Sequence, residues 1–197
     1  MLKNMKNISM MNKNRCAWCE KDDLYRNYHD NEWGKPVYND ATLFEFLILE
    51  TFQAGLSWHT ILKKRENFRK AFDQFDVKKV AAYNDKKLQI LIEDTGIIRN
   101  QLKIKSAVSN AQAFIKIQEE FGSFSKYIWA FVDGKPIDNK PQTLKDVPAT
   151  TPLSDALSKD LKKRGFKFVG STVIYAHMQA TGMVNDHVVD CFTRKNN

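Results

Sequence analysis

From Asp40 onward, apolar residues recur at helical spacing, and only capping residues, glycines and prolines break the recurrence. That punctuation leaves room for little except a stack of short helices. Leu43, Phe46, Leu47, Glu50 and Ala54 share one face of a first segment, which Gly55 closes. Ser57 is a good N-cap for a helix over 58–72, Asp76 for a short one ending at 82, and Asp85 opens another to 94. Gly96 interrupts, an amphipathic stretch runs over 102–121, and an aromatic one follows over 124–131. Residues 133–151, with Gly134, Pro136, Pro141 and Pro148, read as one long irregular connection. Thr151-Pro152 then starts a helix that stops before Gly165, and 169–179 forms the next, halted by Gly182. His187 and Cys191 fall in a final short helical segment. With no βαβ alternation, heptads or internal repeat, the fold class is all-α, about eight short helices.

Aromatic residues at 12% and hydrophobic ones at 43% suffice for a core in a 197-residue chain, so the bulk of it is not disordered. No apolar run reaches the roughly 18 residues of a membrane span. Half of the net charge of +8 sits on the first fifteen residues (Lys3, Lys6, Lys13 and Arg15, with no acid), so charge alone argues weakly for a nucleic-acid partner. Residues 1–15 read as a disordered lead-in without a secretory signal, and 16–197 as one helical domain of two packed lobes. An odd count of three cysteines argues against a disulfide scaffold and for a reducing, cytoplasmic setting.

Cys16, Cys19, His29, His187 and Cys191 form the strongest chemical signal. His187 and Cys191, four apart, lie on one face of a helical turn, and a loop can carry His29 back to the thiols. Thiolates and imidazoles are tetrahedral Zn²⁺ ligands, and a closed Cys₂His₂ set is structural rather than catalytic. Ordinary buried cysteines would look the same, and Cys19 competes with Cys16 on spacing alone. Glu50 lies in an otherwise apolar stripe, so it is ion-paired, protonated or facing a cavity. Trp18, Tyr25, Tyr28 and Trp33 before it and Trp58 after it suit a pocket for a flat or cationic ligand, although aromatic clusters also build plain cores.

The turn Gln53-Ala54-Gly55-Leu56-Ser57 places Leu56 either beneath the turn as packing or outside it as a wedge between base pairs. Thr95-Gly96-Ile97-Ile98-Arg99-Asn100, followed by Lys103 and Lys105, is a Gly-containing turn opening a helix with cations near its start. A helix-hairpin-helix grips DNA phosphates in that way, although many helix–turn–helix corners look alike as a bare pattern.

Taken together, the chain resembles the 3-methyladenine DNA glycosylase I family from Cys16 to about Cys191. The likeness rests on Cys16-Ala17-Trp18, Tyr28-His29-Asp30-Asn31-Glu32-Trp33-Gly34, Gln53-Ala54-Gly55-Leu56-Ser57-Trp58 and Leu62-Lys63-Lys64-Arg65-Glu66. It continues in Gly96-Ile97-Ile98-Arg99-Asn100, Lys163-Arg164-Gly165-Phe166-Lys167-Phe168-Val169-Gly170 and Val184-Asn185-Asp186-His187. The resemblance implies a helix-hairpin-helix glycosylase fold closed by a zinc snap. One structural Zn²⁺ per chain would be held by Cys16, His29, His187 and Cys191, leaving Cys19 free. Glu50 would recognise the methylated base, Tyr28 would assist, Trp58 and Trp18 would stack, and Tyr25 would line the pocket. Gln53, Gly55 and Leu56 would fill the gap left by the extruded nucleotide, while Gly96, Arg99 and Lys103 would hold the DNA backbone.

The implied activity is hydrolysis of the N-glycosidic bond of N3-methyladenine in alkylated double-stranded DNA, releasing free 3-methyladenine without strand cleavage. The enzyme would act as a monomer in the bacterial cytoplasm. Two competing readings remain at this level: a zinc-stabilised helix-hairpin-helix DNA-binding protein without base excision, and a zinc hydrolase of small molecules. The long lead-in, the extra thiol of Cys19 and Gln101, where the family often has a basic residue, depart from the pattern.

Overall fold

The computed structural model describes residues 13–53 and 55–196. Its helices, in chain order, are α1 (Asp23–Asn31), α2 (Asp40–Gln53), α3 (Trp58–Ala71), α4 (Val77–Ala81) and α5 (Asp85–Glu93). They continue as α6 (Gln101–Phe121), α7 (Phe124–Trp129), α8 (Pro152–Lys163) and α9 (Ser171–Ala180). No described helix is long and apolar enough to cross a membrane.

The architecture is organised around α2. Every residue from Leu43 to Phe52 is buried, so this helix is covered on all sides and not merely along one stripe. Helices α3, α6 and α9 pack against it, with α8 outside α9 and α4 along α6. Phe44 of α2 meets Phe114 of α6 edge-on at 5.1 Å, and Phe114 stacks on Phe124 of α7 at 4.1 Å. Asp40, at the start of α2, closes this layer: its carboxylate accepts from the Phe124 and Ser125 amides, both at 2.8 Å, and from Gln118 Nε2 at 2.7 Å. One side chain thus satisfies two orphan donors of the first turn of α7.

The predicted caps at Ser57, Asp76 and Thr151 are present. Four expectations need correction. Residues 23–31 form a helix that the apolar period does not reveal, capped by Asp22, whose side chain accepts from the Tyr25 amide. His29 therefore stands on a helix, not on a loop. The connection over 133–151 contains β1 (Ile137–Asp138), paired in parallel with β2 (Val184–Asn185), because a two-residue bridge has no periodicity to read. Residues 187–191 are not helical: Val189 donates to Pro141 and Cys191 to Val188, so His187 and Cys191 meet through a turn. Helix α9 begins at Ser171 and not at 169, because Gly170, its N-cap, has an extended backbone with ψ 159°, which no right-handed helix accommodates.

The lead-in expectation for residues 1–12, like Ala54 of the α2–α3 turn, lies outside the described residues. Arg15, counted with the lead-in, has a buried side chain in a two-pronged ion pair with Asp30.

Asp40→Ala should lower stability by about 2 kcal/mol through the lost cap and cross-helix bonds, a melting shift of roughly 4–8 °C in a chain of this size, read by calorimetry.

Candidate functional site

Helix α2 carries two buried carboxylates in opposite circumstances. Glu45 accepts from Arg65 Nε at 2.6 Å and Arg69 Nε at 2.9 Å, while Arg65 also reaches Glu32. Glu50, just over one turn later, is 3% exposed, and its Oε2 has no hydrogen-bond partner. The ion pair that a buried glutamate ordinarily requires has gone to Glu45. Burial alone lifts the Glu50 carboxyl from the usual 4.5 to about 8. Glu50 opens instead on a cavity of ≈ 310 Å³ whose wall includes Trp18, Tyr25, Tyr28, Trp33 and Trp58.

These rings brace one another. Trp18 meets Tyr25 edge-on at 4.9 Å and Trp33 at 5.0 Å, and Tyr28 lies 5.5 Å from Trp58. Both tyrosine hydroxyls are pushed up, first by burial and then by the nearby Glu50 carboxylate. Trp58 Nε1 is also buried without a partner, so the cavity holds an unmatched donor as well as an unmatched acceptor. The cavity also includes residues that the sequence reading overlooked: Leu144 and Val147 from the long connection, Gln179 of α9, and Asp186. Asp186 is buried and accepts from Tyr175 Oη, Gln179 Nε2 and Asn139 Nδ2, each at 2.7 Å. Its place beside His187 was the available signal.

Behind Trp18 and Trp33, the side chains of Cys16, His29, His187 and Cys191 converge, all buried, with their ligand atoms within 4.8 Å of one another. This group could hold a metal ion; Cys19 is buried but outside it. Three of the four sulfur-to-nitrogen separations are 3.4, 3.5 and 3.7 Å. A tetrahedron with Zn–S and Zn–N bonds of ordinary length has such edges at about 3.6 Å. His29 presents Nε2 to the group and places Nδ1 2.9 Å from Asp30, which Arg15 holds in turn. His187 presents Nδ1 and places Nε2 3.2 Å from the Trp33 carbonyl. Each imidazole therefore has an outer partner that fixes its ring, the usual support of a metal-binding histidine. The Cys191 thiol is held low, chiefly by the hydrogen bond from Cys16 and then by contacts to His187, His29 and Thr193.

The turn after α2 lies at the cavity edge. Gly55 has φ +84°, a conformation that glycine adopts without strain, and it leaves Leu56 41% exposed. Gln53, Gly55 and Leu56 line an adjoining groove of ≈ 240 Å³, closed on its far side by Thr172, Val173 and Ala176 of α9. Leu56 is thus not packed beneath its turn.

Between α5 and α6, the turn at Gly96 is pinned from α3. Lys64 Nζ donates to the Thr95 and Gly96 carbonyls, and Asn67 Nδ2 donates to Gly96. The Gly96 amide is taken by Asp94 Oδ1 at 2.7 Å, and a Cβ at Gly96 would stand 2.9 Å from that oxygen. Arg99 is exposed, as a phosphate contact requires, but Lys103 is not. Lys103 is 6% exposed, and its ammonium donates inward to the Phe52 carbonyl at 3.0 Å. Helix α2 has no basic residue in its last turn, so Lys103 supplies the cation that its C-terminus lacks.

The sequence profile of the methyladenine glycosylase family matches residues 18–194. The chain is 51% identical to DNA-3-methyladenine glycosylase 1 of Escherichia coli (strain K12) over 90% of its own length and 95% of the relative's. It is 48% identical to DNA-3-methyladenine glycosylase of Haemophilus influenzae, over 90% and 96% of the two chains. A crystal structure of 3-methyladenine DNA glycosylase I superposes with a TM-score of 0.88 at 50% identity, covering 91% of this chain and 98% of that one. A structure addressing 3-methyladenine recognition by the Staphylococcus aureus enzyme gives 0.89 at 40% identity, covering 92% and 97%.

Between about pH 4.5 and 8 the folded state keeps the Glu50 proton that the unfolded state loses, so this residue makes stability fall as pH rises. Glu50→Gln should therefore stabilise the free protein by about 3 kcal/mol at pH 7, with the gain vanishing toward pH 4.5. Denaturant melts of both proteins across that range measure it; a gain that does not vary with pH would contradict it.

Proposed function

The chain belongs to the methyladenine glycosylase family, and from that premise we propose that it hydrolyses the N-glycosidic bond of N3-methyladenine in alkylated duplex DNA. The observation that carries this reading is the unpartnered Glu50 carboxylate in an aromatic cavity. Methylation at N3 makes the adenine in DNA cationic. A flat cation brings the counter-charge that the cavity wall does not provide: Glu50 gives up its proton to solvent, pairs with the base and accepts from its exocyclic amine. Neutral adenine brings no such charge, so it is disfavoured at binding. Trp18 and Trp58 stack on the base and Tyr28 assists, aromatic faces being attractive to a cation.

The cavity cannot admit a base that is still stacked in a helix, so the nucleotide is extruded, with Leu56 filling the gap. The Gly96 turn and Arg99 hold the backbone, and Lys103 acts from inside by tying α6 to the end of α2. Positive charge on the ring makes the departing base a good leaving group, and no strong general acid is needed. The bond between N9 and C1′ breaks with its electron pair going to the base, water forms the new bond to C1′, and the water's proton leaves to solvent. No lysine is among the residues lining the cavity, which supports hydrolysis without a Schiff base or strand cleavage.

Cys16, His29, His187 and Cys191 would hold one Zn²⁺, a soft, four-coordinate ion that these donors suit and that would serve structure rather than chemistry. Four protein ligands leave no open position, which disfavours a zinc hydrolase of small molecules. The protein would act as a monomer.

Two outcomes test the proposal. Chromatography of bases released from alkylated duplex DNA should show free 3-methyladenine, with the rate reduced about tenfold to a hundredfold by Glu50→Gln. No release by a folded wild type would favour a DNA-binding protein without excision. Elemental analysis should find one zinc per chain, lost together with thermal stability in Cys191→Ser; a metal-free, fully stable wild type would contradict the snap.

A further inference from the structure

Between α8 and α9 the chain holds a phenylalanine where its backbone resists one. Phe168 has φ +56°, a left-handed conformation unfavourable for a bulky residue, and the residue is 39% exposed. Folding gains little from such an arrangement, yet the structure enforces it from both sides. Asn110 of α6, fully buried, grips Lys167 twice: its Oδ1 accepts from the Lys167 amide at 2.7 Å and its Nδ2 donates to the Lys167 carbonyl at 3.1 Å. Buried Ser158 donates to the Val169 carbonyl at 2.6 Å. Phe166 and Val169 are buried to either side, and Phe168 is turned outward beside Lys167. Strain that neighbouring bonds over-determine is typical of functional positions.

The location agrees. Phe168 lies two residues ahead of Gly170, the N-cap of α9, and the first turn of α9 faces Gly55 and Leu56 across the groove of ≈ 240 Å³. One wall of that groove therefore carries the exposed Leu56, and the segment that leads into the opposite wall carries the exposed Phe168. Lys162, Lys163 and Lys167 of the same segment are exposed, whereas Arg164 is engaged by Glu120 and Asp160. An aromatic ring set among cations suits a nucleic acid whose bases have lost their stacking partners.

We propose that Phe168 is a second apolar contact to duplex DNA, stacking on a base exposed where Leu56 opens the helix, and that the Asn110 and Ser158 clamps exist to present it. This rests on the glycosylase reading above. Stacking matters only where the stack is broken, so Phe168 contributes to recognition of an opened duplex and not to general affinity.

The test compares wild type, Phe168→Ala and Phe168→Trp on an intact duplex and on one bearing a stable abasic-site analogue. Phe168→Ala should weaken binding to the abasic duplex about tenfold. Its affinity for intact duplex, its binding of free 3-methyladenine and its melting temperature should match wild type, and Phe168→Trp should restore the abasic-site preference. Unchanged affinity of Phe168→Ala for the abasic duplex would overturn the inference while base release by wild type leaves the glycosylase reading standing. An equal loss on both duplexes would also overturn it. If wild type releases no base, the reading fails and the inference fails with it.

Discussion

A carboxylate buried without a counter-charge is the constraint on which the rest of the structure depends. Helix α2 is covered on every side, so any charge it carries must be answered by another element. Glu45 is answered by Arg65 and Arg69, which bind α3 to α2. Glu50 is answered by nothing among the described residues, and the helices around it leave an aromatic-walled cavity in front of it. Were the site purely structural, an apolar residue there would be more stable. Burial raises its pKa, so the fold tolerates Glu50 in its protonated form, a state that a cationic ligand would reverse on the function proposed above.

The Cys16, His29, His187 and Cys191 group bears directly on that cavity. Cys16 lies two residues from Trp18, His29 follows Tyr28, and His187 follows Asp186, so three of its four members lie within two residues of the cavity wall. A metal ion held there, as proposed above, would tie the start of the described chain to its end beside Trp18 and Trp33. The pinned turns do the same on the outer side. Lys64 holds the turn between α5 and α6, and Lys103 connects α6 to the end of α2, from which the Leu56 turn departs. The hydrophobic core, the cysteine–histidine group and these two lysines thus converge on one opening.

Much of this was legible in the residues. Ser57 and Gly55 mark the break between α2 and α3, and Glu50 is conspicuous because its helical neighbours are apolar. The four side chains that could hold a metal were visible as residue types, though not the route by which they meet. Helix α1 was missed because it is polar and only nine residues long, and its signal lay in the Asp22 cap. The turn over 187–191 was misread because residues four apart coincide in a helix and also across a turn held by Pro141. Lys103 was misplaced because lysine is ordinarily a surface residue; only the packed structure shows that the C-terminus of α2 lacks a cation. Phe168 gave no sign at all, since backbone strain is not written in residue type.

The central claim is that Glu50 is reserved, uncharged, for a ligand that supplies its counter-charge. An NMR titration of the Glu50 side-chain carboxyl carbon tests it most directly, in the free protein and in the presence of the 3,9-dimethyladeninium cation or of neutral 9-methyladenine. The expected result is a midpoint near 8 in the free protein and a shift of that signal on adding the cation but not the neutral base. A midpoint in the ordinary carboxylate range, with no response to the cation, would contradict it.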